Sequence, residues 1–95
     1  LGWSITGSMQ YDRELHTAIR LVNGQMLVTG GKAALREILN TAELYDPSTG
    51  IWTVFQSMNY TRRSSAAVLL TNGKVLVSGG MSGLDYLSSA ELYQP

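Results

Sequence analysis

A duplicated segment constrains the fold of this chain more than any other feature of its sequence. Residues 22–31 read VNGQMLVTGG and residues 71–80 read TNGKVLVSGG. After a loop each copy continues with Ala-Glu-Leu-Tyr, which ends at Tyr45 in the first copy and at Tyr93 in the second. Such a period is typical of repeat architectures, in which each repeat is one supersecondary unit packed on its neighbours.

The two copies keep one register over most of their length. Trp3 recurs as Trp52, an offset of 49 residues that holds through both glycine pairs. Beyond the pairs Glu43 recurs as Glu91, an offset of 48 residues. The loss of one residue after the second pair marks a surface loop, because loops tolerate changes in length.

Each period predicts four short strands, which in the first copy lie at residues 16–22, 25–30, 41–46 and 51–55. Asn-Gly between the first two strands is a strong hairpin signal, and we expect two-residue type I′ turns at Asn23-Gly24 and Asn72-Gly73. Asp-Pro-Ser-Thr-Gly at residues 46–50 predicts the turn between the third and fourth strands. Residues 3–6 align with a fourth strand. We therefore expect eight strands in an all-β fold of two four-stranded antiparallel sheets.

Continuously apolar runs precede both glycine pairs. Residues 26–28 read MLV and residues 75–77 read VLV, a pattern expected where both faces of a sheet are covered. A buried helix is the rival interpretation, but runs this short between Asn-Gly and Gly-Gly favour strands. We expect Gly30-Gly31 and Gly79-Gly80 to turn the backbone sharply and to let the ring of a repeated Trp or Tyr lie against it. Alternatively, the pairs only punctuate loops.

Together these residues resemble the kelch repeat. The pattern is an apolar strand, Gly-Gly, a loop, AELYDPSTGIW at residues 42–52 and Met-x-x-x-Arg at residues 58–62. The matching repeat positions are Gly30, Gly31, Glu43, Tyr45, Trp52, Gly79, Gly80, Glu91 and Tyr93. The particular residues of this pattern are similar to those of kelch repeats in the galactose-oxidase-like propeller superfamily. This resemblance implies that the two sheets are four-stranded antiparallel blades of a β-propeller, here a partial propeller.

The repeats also predict how the chain divides. Residues 1–7 are expected to form the outer strand of a preceding or shared blade, residues 8–56 kelch repeat 1, and residues 57–95 kelch repeat 2 without its last strand. Propellers close with typically about 4 to 8 blades, so two explanations stay open. Either the chain belongs to a larger propeller with further kelch blades, or copies of it assemble head to tail, with residues 3–6 completing a neighbour's last blade.

Composition argues against several classes of partner and site. The chain has a formal net charge of zero at pH 7, whereas nucleic-acid binding relies on an excess of basic residues, so no nucleic-acid partner is expected. The absence of cysteine removes disulfides, thiolate metal sites and thiol nucleophiles. No apolar run reaches the roughly 18 residues that cross a bilayer, so no membrane insertion is expected.

The longer connections carry the candidate partner-binding residues. Connections in an up-and-down sheet alternate between two faces, which places the loops at residues 7–15, 31–40, 57–63 and 80–87 on the same face. The candidate partner-binding residues in these loops are Tyr11, Arg13, Lys32, Arg36, Tyr60, Arg62, Arg63 and Tyr86. Arg and Tyr are frequent anchors of protein interfaces, so we expect this face to bind a protein partner. The alternative is a solvated face with balanced charges.

Two repeated carboxylates need partners of their own. Glu43 and Glu91 lie inside apolar strands, where a carboxylate is costly unless it is paired or accepts backbone donors. We expect each of them to meet a repeat arginine or loop amides. Arg13 and Arg62 share one repeat position, at which kelch-like repeats often hold an arginine that serves packing between blades as much as binding.

No residue pattern predicts a catalytic, metal or cofactor site. His16 is the single histidine, and residues 13–18 are similar to kelch-like repeats in which this histidine starts a strand. The serines and threonines lack a positioned base, and no helix begins after the glycine pairs to bind phosphate. We predict a non-enzymatic segment that binds proteins and needs no cofactor. The alternatives are part of a galactose-oxidase-like enzyme whose catalytic residues lie outside this segment, or a carbohydrate-binding propeller.

Overall fold

The computed structural model describes residues 2–95, which form short antiparallel strands and one 3-10 turn. The first sheet runs in chain order and consists of β1 Thr17–Arg20, β2 Met26–Thr29, β3 Ala42–Asp46 and β4 Ile51–Phe55. The second sheet has the order β5-β6-β9 and consists of β5 Ala66–Leu69, β6 Val75–Ser78 and β9 Ala90–Tyr93. The predicted all-β class, with two adjacent antiparallel sheets matching the blades of a partial propeller, is confirmed.

The two sheets share one strand register. Val28 lies opposite Glu43 in the first sheet, and Val77 lies opposite Glu91 in the second. The loop after β6 contains an unpredicted hairpin, formed by β7 Met81–Ser82 and β8 Asp85–Tyr86. At the corresponding place the first repeat has a 3-10 turn at Ala34–Arg36. No helix among residues 2–95 is long and apolar enough to span a membrane.

The hairpin turns differ from the prediction of type I′. The Gly24 amide donates to the Leu21 carbonyl (3.0 Å) and the Leu21 amide donates to the Gln25 carbonyl (2.8 Å), so the loop has the three residues between them. Within that loop Gly24 has a positive φ of 88° and Asn23 does not. This is a type I turn followed by a left-handed glycine. Asn23 favours it because its Oδ1 accepts the Gln25 amide (3.0 Å), and Gly73 repeats the geometry with φ 86°.

The predicted strand at residues 3–6 is wrong, because residues 2–13 form no strand. The side chains of Trp3 and Ile5 are fully exposed. Two polar contacts hold the following residues against the first sheet. The Thr6 hydroxyl lies 2.8 Å from the Tyr45 hydroxyl, and the Trp52 indole N–H donates to the Gly7 carbonyl (2.9 Å).

The repeat offsets explain where this N-terminal segment lies. Thr6 corresponds to Phe55 and Tyr45 corresponds to Tyr93, and the rings of Phe55 and Tyr93 are 5.1 Å apart across the two sheets. The segment therefore occupies, beside the first sheet, the place that β4 occupies beside the second. It lacks strand structure because no described strand edge lies next to it to complete a ladder.

An apolar cluster joins the two sheets. Its buried members are Leu21, Leu27, Ala42, Val75 and Val77. Each of the leucines and valines contributes about 1.5–3 kcal/mol when it is fully removed from water. Leu27 and Val28 are both buried, so β2 is covered on both faces as predicted. The same prediction is wrong for β6, in which Val75 and Val77 are buried but Leu76 between them is half-buried.

Candidate protein-binding loop layer

The four long loops form one hydrogen-bonded layer at one end of both sheets. We call residues 8–16, 30–41, 57–65 and 79–89 the loop layer. Within the first repeat, the amides of Glu14 and Lys32 each donate to the carbonyl of the other (2.9 and 2.7 Å). Between repeats, the Gly31 amide donates to the Arg62 carbonyl (2.6 Å) and the Arg62 amide donates to the Leu39 carbonyl (3.0 Å). These bonds fix the loops of the two repeats relative to one another.

A buried ion pair supports the layer in the first repeat. Nη2 of Arg13 lies 2.8 Å from Oε2 of Glu43, and both side chains are 0% exposed. Arg13 also donates through Nη1 to the carbonyls of Gly30 (2.9 Å) and Thr41 (3.1 Å) and through Nη2 to the Thr41 hydroxyl (3.1 Å). The guanidinium therefore closes the gap between the ends of β2 and β3.

Backbone amides complete the coordination of the Glu43 carboxylate. Oε1 accepts the amide of Gln10 (2.7 Å) and Oε2 accepts the amide of Tyr11 (3.2 Å). A buried carboxylate with a bonded arginine and amide donors meets the condition under which burial of a charge is tolerated. Glu43, which lies in β3, thus holds the loop that precedes β1.

The second repeat reproduces the main contacts of this arrangement. Nη2 of Arg62 lies 3.2 Å from Oε2 of Glu91. Arg62 donates to the carbonyls of Gly79 (3.0 Å) and Ser89 (2.9 Å). Glu91 accepts the amide of Asn59 (2.7 Å), and the amide of the next residue follows at 3.1 Å. The expectation that each glutamate meets a repeat arginine or loop amides is confirmed, because each meets both.

The two ion pairs differ in their surroundings. Glu91 is 13% exposed, whereas Glu43 is fully buried. Nε of Arg62 donates to Glu91 (3.3 Å), while Nε of Arg13 is buried without a hydrogen-bond partner. Asn59 gives Glu91 a further side-chain donor (3.0 Å). The first pair is therefore the drier of the two and has fewer alternative donors.

Arg13 and Arg62 are therefore structural, and naming them as partner-binding residues is wrong. Both side chains are 0% exposed, and their terminal N–H groups are engaged by the strand ends and the glutamates. Their sequence position pointed correctly to the loops. Each arginine is instead bound to the repeated glutamate two strands away, the pairing expected for Glu43 and Glu91.

The glycine pairs pack against backbone rather than against aromatic rings. A Cβ on Gly30 would lie 2.5 Å from the Arg62 carbonyl oxygen, and one on Gly31 would lie 2.5 Å from the Glu14 carbonyl oxygen. The expected ring contact is wrong, because the rings pair with one another instead. Tyr45 and Trp52 have ring centroids 4.9 Å apart. The glycines are required because only they let the neighbouring loops approach so closely.

The family comparison agrees with this repeated geometry. A family model described as the Kelch motif matches residues 16–59 and 62–95. The chain belongs to the kelch family. No curated protein matches it in sequence comparison. Kelch repeats are generally protein-interaction elements and are generally not catalytic, which directs attention to the exposed side chains of the loop layer.

Among the predicted binding residues, the tyrosines of these kelch loops are exposed. Tyr11 is 40%, Tyr60 57% and Tyr86 85% exposed. Lys32 and Arg63 are half-buried. The side chain of Arg36 lies outside what the structure describes. The structure thus places three aromatic candidates on the outer surface of the layer, on three different loops.

Sequence reasoning missed the leucines of the same loops. Leu35 is 99% exposed with a left-handed φ of 60°, and Leu84 is 92% exposed. Leu84 follows Gly83, whose positive φ of 63° lies at the first central position of the turn between β7 and β8. An apolar residue inside a polar turn sequence was the available signal. Both leucines lie at the tips of kelch loops that connect the second and third core strands.

His16 lies immediately before β1, where the resemblance implied a strand start. Burial and the neighbouring charge of Arg13 lower the pKa of His16 below its ordinary value. A Cβ on Gly31 would lie 2.9 Å from Cβ of His16. The backbone of His16 therefore lies against Gly31, while the residue stays exposed.

Acid is expected to destabilise the fold through Glu91. Burial raises the pKa of this carboxyl, but hydrogen bonds from Asn59, Tyr60 and Arg62 outweigh burial and hold the pKa below its ordinary 4.5. A lowered pKa in the folded state contributes stability that is present above the ordinary value and lost as the pH falls through the folded value.

Glu91→Gln should therefore flatten the decline of the free energy of unfolding below about pH 4.5. Urea denaturation over a series of acidic pH values measures this. Some decline should persist, because the hydroxyl and amide of Ser48 also lower the pKa of Asp46. An unchanged slope in the Gln variant would contradict the assignment to Glu91.

Proposed function

We propose that this kelch segment binds a protein partner through the outer surface of its loop layer. The observation that carries the proposal is the set of large apolar side chains exposed on this layer. They are Tyr11, Leu15, Leu35, Tyr60, Leu84 and Tyr86. Exposed aromatic side chains are frequent anchors of protein interfaces, and three of these six are tyrosines on three different loops.

The hydrogen bonds and ion pairs that hold these loops in place favour binding. The loops are tied to one another through backbone bonds, such as that from the Ser64 amide to the Leu15 carbonyl (2.8 Å), and to the strands through the Arg13 and Arg62 ion pairs. Loops already ordered in the free protein avoid part of the entropy cost of association. The proposed surface is therefore preorganised.

The role proposed for the segment is non-catalytic. Two adjacent blades would contribute two sets of loops to a larger kelch propeller, whose other blades come from the same chain or from further copies of it. The partner would then contact loops of more than one blade. The opposite end of the sheets carries tight turns, which supply matched control positions.

Site-specific photo-crosslinking in cells tests the proposed surface. A benzophenone amino acid at Tyr86 or Leu84 is expected to give crosslinked adducts with a defined protein, whereas the same group at Val22 or Ile51, both exposed on the opposite turns, is not. Mass spectrometry identifies the adduct. Equal adducts at both ends, or adducts at the turns alone, would contradict the proposal.

The partner identified in this way allows a quantitative prediction. Tyr86→Ser is expected to weaken binding at least about thirtyfold, because truncation of an anchoring aromatic costs about 2 kcal/mol or more. Val22→Ser is the control and should stay within about twofold of the parent affinity. Isothermal titration calorimetry measures both, and circular dichroism shows whether each variant keeps its fold.

A further inference from the structure

We infer that the partner of the loop layer presents a segment in which lysine or arginine alternates with apolar side chains. This inference rests on the proposed function and adds the chemistry of the partner. It follows from which charges of the layer reach solvent and from where those charges lie.

Burial changes the charge that the layer presents. By sequence the layer holds several arginines, but the side chains of Arg13 and Arg62 are buried and paired with Glu43 and Glu91. They cancel in the interior and contribute little field outside. Lys32 is half-buried, and its backbone is bridged to the neighbouring loop.

The carboxylates remain at the surface. The exposed acidic residues of the layer are Asp12, Glu14, Glu37 and Asp85. Among the described side chains of the layer, Arg13 and Arg62 are buried and Lys32 and Arg63 are half-buried, so the four carboxylates are more exposed than these basic side chains. A partner that approaches this layer therefore meets exposed negative charge, and electrostatic complementarity favours a positively charged segment.

The carboxylates and the apolar side chains alternate along the loops. Asp12 follows Tyr11, and Glu14 precedes Leu15. Glu37 lies two residues after Leu35, and Asp85 lies between Leu84 and Tyr86. Each exposed carboxylate thus has an exposed apolar neighbour within two residues. A complementary segment places apolar side chains against the tyrosines and leucines and basic side chains beside them.

A groove in the first repeat offers a place where a side chain of the partner can bind. It has a volume of about 440 Å³ and lies between the loop before β1 and the 3-10 turn. Asp12 and Glu14 line the groove together with the half-buried Lys32, and Leu35 also lines it, so two exposed carboxylates face one half-buried lysine. A long basic side chain suits it, because its aliphatic stem can pack on the leucine while its charged end meets a carboxylate.

Selection from a random peptide library displayed on phage, with the full 95-residue chain as the target, tests the inference. Enriched peptides are expected to combine Lys or Arg with Leu, Phe, Tyr or Trp. The synthetic form of an enriched peptide should bind about threefold to tenfold more weakly to the Glu37→Gln/Asp85→Asn variant, which removes two rim charges.

The control changes net charge by the same amount elsewhere. Val22→Lys/Thr71→Lys adds two positive charges on the opposite turns, where both residues are exposed, and should change affinity by less than about twofold. Enriched peptides without basic residues, or equal losses in the two double variants, would overturn the inference. If Tyr86→Ser still abolished binding in that case, the proposed surface would stand. Binding that survives Tyr86→Ser and Leu84→Ser together would overturn the proposed surface itself.

Discussion

Replacement of Arg13 by methionine is expected to lower the free energy of unfolding by about 3–5 kcal/mol, because it leaves an unpaired buried carboxylate. Glu43 is 0% exposed and would retain only the amides of Gln10 and Tyr11 as donors. A loss of this size is a large fraction of the stability of a small domain. Urea denaturation followed by tryptophan fluorescence measures it.

The second repeat supplies the matched comparison. Arg62→Met should cost less than Arg13→Met, because Glu91 is 13% exposed and keeps an additional donor in the side chain of Asn59. The double variant Arg13→Met/Glu43→Met should recover part of the loss, since apolar replacement of a whole buried pair is often tolerated. A loss below about 1 kcal/mol in Arg13→Met, the range of exposed pairs, would show that the pair is not buried in solution.

Gly31→Ala is expected to lower the free energy of unfolding by about 2–5 kcal/mol, from left-handed strain together with overlap. Its φ is 96°, and a Cβ would lie 2.5 Å from the Glu14 carbonyl oxygen, which cannot move without breaking the loop layer. Gly24→Ala separates the two causes. Gly24 also has a positive φ, but nothing lies within 4 Å of its Cβ position, so only about 1 kcal/mol is expected.

Substitution of the first glycine of each pair tests the contact between the two repeats. A Cβ on Gly30 would lie 2.5 Å from the Arg62 carbonyl oxygen of the next repeat, whereas the nearest atom to one on Gly79 is 3.6 Å away. Gly30→Ala should therefore be the more damaging change of the two. Thermal unfolding of both variants checks the difference, and equal losses would contradict the packing of the two repeats described here.

The repeat made most of the fold predictable. Because the residues of β2 and β3 are bounded by turn residues and recur as β6 and β9, with offsets of 49 and 48 residues, the positions of these strands follow from the sequence. The turn geometry did not follow from the sequence, since the same Asn-Gly dipeptide suits two loop lengths. The observed loop is favoured by the hydrogen bond that the Gln25 amide donates to Oδ1 of Asn23. The N-terminal segment failed as a strand because ladder formation depends on a neighbouring edge, which no local pattern encodes.

The location of the loop layer was predictable from the sequence, but the exposure of its side chains was not. Alternating connections indicate which loops meet, and that part depends only on topology. Which arginines reach solvent depends on long-range contacts, such as that between Arg13 and Glu43 across 30 residues of chain. Leu84 carried a signal, as an apolar residue in a turn, but that signal does not distinguish a buried leucine from an exposed one.

The ties of the loop at residues 57–63 have a consequence for how kelch repeats tolerate insertion. Arg62 bonds through its backbone to Gly31 and Leu39 of the first repeat and through its side chain to Glu91 of the second. This loop therefore connects the two repeats, and an added residue in it would displace both sheets at once. The loop that contains β7 and β8 pairs with itself through Met81 and Tyr86 and contacts the neighbouring loop through Arg63. The difference of one residue in length between the repeats falls in this loop, where a change can be accommodated within one hairpin.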